Sequence, residues 1–406
     1  MTRPGRSAAS MPWVYPAGGA ANPRAPCARR LGSVRVPNPC EEHAMYQPTQ
    51  PLPPRLAPPI PPPAQVRGSM PVLVPHLVWE AVLLVLVVGV SVVATARVPV
   101  FEGDGLWWLV ATVGLLATGL ALSLRTGTPN LAVGGVALLS ATLHVVLVTE
   151  VGMPWLVAAL LVLLVSVVVG LGLGLVVGLT SAPAWAVSLA GLALVQGVAL
   201  GLFQQGAVAG TDQAPVRVAA VWFGLFLLIS LAGGGLWAIP PVRRLLGADR
   251  SSTDPVRFRA ARLVPALVGL GVSSVLAGLS GLASVVRLGA VTAPAINLEL
   301  TLLALAAVLV GGVSVFGGRG GVAGTVLGTI LLTVIVQWVD IEWQNLVDGR
   351  VGWGLSATWL IIGLAILAGI GVSRALEAMA ANRPMVSAAP APAPGSGRSG
   401  GSGDPA

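Results

Sequence analysis

The chain has 406 residues, 55% of them apolar and only 9% charged, with a formal net charge of +8 and a mean hydropathy of +0.86. A soluble domain of this length needs far more charge to cover its surface, so the composition excludes a soluble globular protein. All 23 basic residues are arginine, and a G-x-x-x-x-G-K-[ST] phosphate loop needs a lysine, so the chain holds no ATP site of that kind.

Residues 1–70 differ in kind from the rest. They are rich in Pro, Ala and Arg, as in Pro51-Leu52-Pro53-Pro54 and Pro61-Pro62-Pro63, and such a segment is predicted to be a disordered tail. Cys27 and Cys40 fall here without metal-ligand spacing or nearby histidines, and read as incidental thiols. No apolar core followed by a cleavage site marks a signal peptide. Met45 and Met70 are alternative starts.

From residue 71 to 373 one apolar run follows another. The runs predict an all-α, polytopic membrane protein with ten spans: 74–96, 105–124, 129–149, 154–179, 183–203, 219–239, 262–283, 298–317, 321–339 and 353–373. The joints at Arg125 to Thr128 and Gly317 to Gly321 are tight enough for broken or half-spanning helices. Residues 374–406 are predicted to form a second disordered tail.

The arginines sit in tails and short loops with no aromatic interleaving, which argues against nucleic acid as a partner. Their placement predicts a cytoplasmic N-terminus instead. Arg125, Arg319 and the cluster Arg243, Arg244, Arg250, Arg257, Arg259 and Arg262 then lie inside, with Arg67 and Arg374 beside the membrane. Only Arg97, Arg217, Arg287 and Arg350 lie outside, and both termini are cytoplasmic. Glycines recur at four-residue spacing in Gly170-Gly174-Gly178, Gly197-Gly201 and Gly324-Gly328. Such stripes let helix backbones approach closely, and packing within the chain is the expected use.

Three stretches carry more than composition. The first runs from Leu124 through Arg125-Thr126-Gly127-Thr128-Pro129-Asn130-Leu131-Ala132-Val133 to Gly134-Gly135. The second is Gly174 to Gly178, leading through Pro183. The third runs from Ala306 to Gly328 and includes Gly311-Gly312, Gly317-Gly318, Gly320-Gly321 and Gly324. In order and spacing they resemble the permeases of bacterial ATP-binding cassette importers for ribose and related simple sugars, whose more distant relatives are the branched-chain amino acid permeases. The resemblance covers roughly 71–373. It implies a type II-like importer permease, in the cytoplasmic membrane, that pairs with a second permease copy or paralogue. It also implies cytoplasmic ATP-binding subunits and an extracytoplasmic solute-binding protein as partners. The glycines Gly127, Gly134, Gly311, Gly312, Gly317, Gly318, Gly320 and Gly324 are the motif positions.

The chain departs from the family pattern at several places. Asn130 replaces the usual aspartate of the first motif and Ala132 its serine. Thr301 replaces an aspartate after Glu299-Leu300. The loop from Pro240 to Arg262, including Arg243, Arg244, Asp249 and Arg250, lacks the family's Gly-Gly-Asn-x-x-Ala-Ala pattern where the ATPase docks. Ser251 to Pro255 supplies a cap and a first-turn proline, predicting a short helix from about Pro255 into the seventh span.

Polar residues inside spans are costly in lipid and mark candidate sites. Gln196 lies deepest and either lines a pathway or bonds between helices, while Asn130 and His144 read more as interhelical bonds. Glu299 and Glu150 fall at outer helix ends, and Glu299 joins Gln196 and Asn130 as a pathway candidate. His76 and Glu80, one turn apart, offer an ion-coupled secondary carrier as the second reading, with a membrane scaffold that no longer transports as the third. Nothing in the sequence supports enzyme chemistry, and no cofactor or metal is expected. Faint likeness between Val133-Gly134-Gly135-Val136 and Ala323-Gly324-Thr325-Val326 suggests an internal repeat.

Overall fold

The computed structural model describes residues 70–180, 182–202, 208–209, 218–247, 260–288, 290–291, 296–314, 322–346 and 352–381. The predicted tail over residues 1–69 lies outside them, as do Asp249, Arg250, the expected helix start near Pro255, and Gly317, Gly318 and Gly320. The described chain is helical almost throughout: α1 Met70–Arg97, α2 Gly105–Arg125, α3 Val133–Thr149, α4 Trp155–Thr180 and α5 Ala184–Leu202 form its first half. The second half holds α6 Ala219–Ala238, α7 Pro240–Leu246, α8 Ala260–Leu288, α9 Ile296–Val310, α10 Val322–Leu346 and α11 Gly352–Ala381. Among the described residues eight helices are long and apolar enough to cross a membrane. The two other predicted spans, α3 and α9, have 17 and 15 residues. At 1.5 Å per residue they reach only about 22–26 Å, short of the roughly 30 Å hydrocarbon core. Both begin or end inside the bundle.

Prolines set several boundaries. The carbonyls of Pro154 and Pro183 accept the first helical N–H bonds of α4 and α5. Pro240 forces Ile239 into an extended conformation (ψ 117°), which ends α6 at Ala238, and then opens α7 as its first residue. The sequence reading places a short helix near Pro255 and has none at Pro240. α11 continues past residue 373 to Ala381.

The helices α2, α3 and α8 form the interior, and α8 packs against α2, α3 and α4 together. The Gly170-Gly174-Gly178 stripe of α4 is what admits α8. A β-carbon at Gly170 would stand 2.6 Å from the Leu270 carbonyl oxygen, and one at Gly174 would stand 2.9 Å from Leu267 Cα. Gly311 of the α9 end and Gly324 of α10 meet backbone to backbone, where a β-carbon at Gly311 would stand 2.6 Å from the Gly324 oxygen. By contrast Gly197 and Gly201 on α5 face open space.

Two features fix the ends of the bundle. At one end β1 (Val208–Ala209), after α5, pairs antiparallel with β2 (Ala290–Val291), after α8. At the other, the Trp79 indole near the start of α1 reaches the end of α9, and Leu376 near the end of α11 lies beside Gly312. The first and last spans therefore bring their outer termini to the same end, which requires an even number of crossings, a condition that eight and ten both meet.

Gly324→Ala should destabilise the purified protein by about 1–3 kcal/mol or more, because the new methyl meets backbone that cannot turn aside. Gly197→Ala should leave the thermal midpoint unchanged, and an equal loss at both positions would contradict the packing described.

Candidate functional site: two helix joints and a cavity

The first joint lies between α2 and α3. The N–H of Gly127 donates to the Leu124 carbonyl (3.0 Å) and that of Thr128 to the Ser123 carbonyl (2.8 Å). Gly127 is at φ +73°. This is a Schellman turn, which needs a left-handed residue and so a glycine. The turn points into the protein: Ser123, Thr126, Thr128 and Asn130 are all fully buried, and Arg125 is only 6% exposed. Arg125 is therefore not one of the loop charges among which the sequence reading counts it. The turn is too short to carry it out of the bundle.

Burial so deep in an apolar bundle demands partners for every polar group. Asn130 supplies most of them. Its Nδ2 donates to Ser273 Oγ (2.7 Å) and to Ser274 Oγ (3.2 Å), two hydroxyls at the midpoint of α8. Its Oδ1 accepts the Ala132 N–H (3.1 Å), and its own N–H donates to Ser123 Oγ (3.1 Å). Leu131 N–H donates to Ser188 Oγ on α5, whose hydroxyl in turn donates to the Pro129 carbonyl. Gly134 N–H, in the first turn of α3, donates to Thr301 Oγ1 on α9 (3.1 Å). Side chains from α2, α5, α8 and α9 thus do what a continuous helix would do for itself.

The second joint closes α9 in the same way. Gly312 N–H donates to the Leu309 carbonyl (2.9 Å), Val313 N–H to that of Val308 (3.2 Å), and Gly312 sits at φ +80°. Helix α1 caps both sides of this break. Trp79 Nε1 donates to the Val310 carbonyl (2.9 Å), and a Glu80 carboxylate oxygen accepts the N–H of Gly324 (3.2 Å) in the first turn of α10. A carboxylate is favoured there by the helix dipole as well as by the bond. The side chain of His76, the other member of the sequence pair, lies outside the described residues. The turns at Gly127 and Gly312 repeat one another, and after each break a glycine N–H in the first turn of the next helix, Gly134 or Gly324, donates to a side chain.

The three pathway candidates occupy different settings. Asn130 is at the centre of the first joint. Glu299 is half-buried in the first turn of α9, two residues before the Thr301 that meets α3, and within electrostatic reach of Asp340 on α10. Gln196 is half-buried on α5 and makes no hydrogen bond to another described residue; its neighbour Val195 packs against Gly135 of α3. His144 donates from Nε2 to the Trp155 carbonyl (3.3 Å) and meets the Trp155 ring edge-on. Arg243 and Arg244 lie exposed on α7, while Leu246 at its end is buried.

Beside the first joint is a cavity of about 80 Å³ between α2, α6, α8 and α10. Thr118, Ala121, Leu122 and Arg125 form one wall, with Ser230, Val272, Leu276 and Thr325 among the residues opposite. The hydroxyls of Thr118 and Ser230 are 2.8 Å apart. The sequence reading passes over Thr118 and Ser230, because only the α2–α6 packing brings them together.

Helix breaks held open by buried polar side chains inside a multi-helix bundle are an arrangement common in transporters. Residues 104–240 match the family described as the branched-chain amino acid transport system permease component. The autoinducer 2 import system permease protein LsrC of Photorhabdus laumondii is 28% identical over 229 residues, 54% of this chain and 68% of that protein. LsrC of Salmonella typhimurium is 27% identical over 252 residues, covering 58% and 72%. The inner membrane ABC transporter permease protein YjfF of Escherichia coli K12 is 24% identical over 293 residues, covering 67% and 83%. No solved structure matches. The chain is similar to the membrane permeases of ATP-binding cassette importers, and its described helices are those of a multi-pass membrane protein. Such permeases work with ATP-binding subunits and a solute-binding protein.

Asn130→Asp, which restores the residue usual in the resembling family, should destabilise this chain by about 1–3 kcal/mol. Ser273 already donates to the Leu270 carbonyl (3.1 Å), so a carboxylate oxygen in place of Nδ2 would face its lone pairs. Thermal unfolding of the purified variant checks this, and an unchanged midpoint would refute the donor assignment.

Proposed function

We propose that the chain moves a small polar solute, a simple sugar above all, inward across the cytoplasmic membrane, with ATP hydrolysed on partner subunits. The observation that carries this reading is the first joint: a fully buried polar node at the midpoint of α8 within an otherwise apolar bundle. Transporters place solute sites where helices break near the membrane midplane, because only there is polar backbone available. Several of the relatives are named for the import of autoinducer 2, which supports the inward direction. The chain has no lysine with which to build a phosphate loop of its own.

A second permease copy or paralogue completes the pathway, and Gln196, Asn130 and Glu299 contribute to it from α5, the first joint and α9. The N- and C-termini face the cytoplasm, on the side of the second joint. This orientation puts Arg243, Arg244 and Arg262 inside, as charge asymmetry favours. Exposed Arg243 and Arg244 on α7 meet carboxylates of the ATPase, with Asp249 and Arg250 following in the same loop.

Reconstituted with its ATPase and solute-binding protein in proteoliposomes, the chain should accumulate a simple sugar only when ATP is supplied. Uptake driven by an ion gradient without ATP would overturn the reading in favour of a secondary carrier. Gln196→Leu should lower uptake without lowering the thermal midpoint, and undiminished uptake would remove Gln196 from the pathway. Arg243→Glu with Arg244→Glu should leave membrane insertion normal and abolish co-purification with the ATPase. Retention of the ATPase by that variant would exclude α7 as its docking element.

A further inference from the structure

The cavity of about 80 Å³ beside the first joint has walls from four helices, α2, α6, α8 and α10. Most of that wall is aliphatic, from Ala121, Leu122 and Ile229 to Val272 and Leu276. Two of its lining residues, Gly233 of α6 and Val272 of α8, are exposed. Both lie within helices long and apolar enough to cross a membrane. The mouth of the cavity is therefore at the lipid-facing side of the bundle, between α6 and α8.

The polar groups of the wall differ in what they still offer a guest. Arg125 and Thr325 already have partners within the protein. Thr118 donates to the Gly114 carbonyl (2.8 Å), and its oxygen lies 2.8 Å from Ser230 Oγ. With the Thr118 proton directed to Gly114, the Ser230 hydroxyl is the donor within the pair. Ser230 is 3% exposed, and its Oγ accepts no hydrogen bond from another described residue. An oxygen with unused lone pairs thus stands in the wall of a largely apolar chamber.

A hydroxyl dissolved in the bilayer core leaves its proton unpaired. An aliphatic alcohol that enters from the lipid gains a bond to Ser230 while its chain stays among aliphatic side chains. Apolar walls with one or two placed polar groups are the usual form of a small-molecule site. At about 10–15 Å³ for each water-sized group, the cavity takes roughly five to eight of them, which matches an alcohol of about four to seven carbons. A sugar is a poor guest, because most of its carbons bear oxygens that these walls would leave unpaired.

We infer that the cavity between α2, α6, α8 and α10 is a binding site for a small neutral aliphatic alcohol. The guest arrives from the bilayer between Gly233 and Val272, and Ser230 Oγ accepts its hydroxyl proton. The site does not depend on the solute or direction of transport proposed above.

The test uses the full-length purified chain in phosphatidylcholine nanodiscs and a hexanol bearing a photoreactive diazirine, with adducts located by mass spectrometry. Labelling should saturate within residues 118–122, 229–233 and 272–276, and unmodified 1-hexanol should compete it away. Ser230→Ala removes the acceptor and leaves the Thr118 proton on Gly114. It should raise the half-competing concentration of 1-hexanol about fivefold, the worth of one hydrogen bond. Gly233→Leu puts a side chain into the mouth, where no neighbouring element comes within 4 Å of a β-carbon, and should abolish the saturable labelling. Should that variant fail to fold, Ser230→Ala decides the matter. Labelling that rises without saturation, or spreads evenly over the lipid-facing helices, is partition into the bilayer only and would overturn the inference. Saturable labelling that persists in Gly233→Leu, or competes unchanged in Ser230→Ala, would do the same.

Discussion

In a bilayer core there is no water to complete a hydrogen bond, so each backbone N–H and carbonyl must find its partner within the protein. Continuous helices meet that demand without help, and a helix that stops inside the bundle does not. The α2–α3 and α9–α10 breaks are therefore the positions on which the rest of the arrangement turns. The Schellman turns at Gly127 and Gly312 return some carbonyls to the chain. Asn130, Ser123, Ser188 and Thr301 take the amides that open α3, while Trp79 and Glu80 take one group on either side of the second break. Removing the breaks would remove the need for the polar side chains that cap them.

Close helix packing follows from the same economy. With no hydrophobic drive between helices surrounded by lipid, contact area and short backbone approach hold them together. The glycine stripe of α4 lays that helix onto α8, and α8 in turn carries Ser273 and Ser274 to Asn130. Position of the polar node is thus set by glycines one helix away from it. The α5 glycines Gly197 and Gly201 show that spacing alone does not determine a partner, since nothing described lies against them.

Much of the fold was legible because its signals are local or periodic. Apolar run length marked ten helices, and Gly/Pro punctuation placed most of their ends closely, although α9 stops at Val310, short of residue 317, and α8, α10 and α11 run on to Leu288, Leu346 and Ala381. The tight joints were visible as joints, and packing of the α4 stripe within the chain was the expected use. Other features depend on three-dimensional neighbours. Arg125 reads like any loop arginine until the turn after it is known to fold inward. The sequence pairs Glu80 with His76 on one helix face, but its bond to Gly324, 244 residues away, has no local signature. Thr118 and Ser230 carry no signature of their own. For α7 a signal exists, the Pro240-Pro241 pair immediately after an apolar run, which the sequence reading does not use.

The caps on the second joint also impose an order on biogenesis. Trp79 and Glu80 leave the ribosome with the first span, whereas Val310 and Gly324 follow 231 and 244 residues later. At about 5–20 residues per second that interval is roughly ten to fifty seconds. Throughout it the nascent first span resides in the membrane without these two partners. The break between α9 and α10, for its part, is synthesised into a bilayer where its cap is already waiting. Completion of the bundle is consequently a late, long-range event, and the first helix made is among the last to be secured.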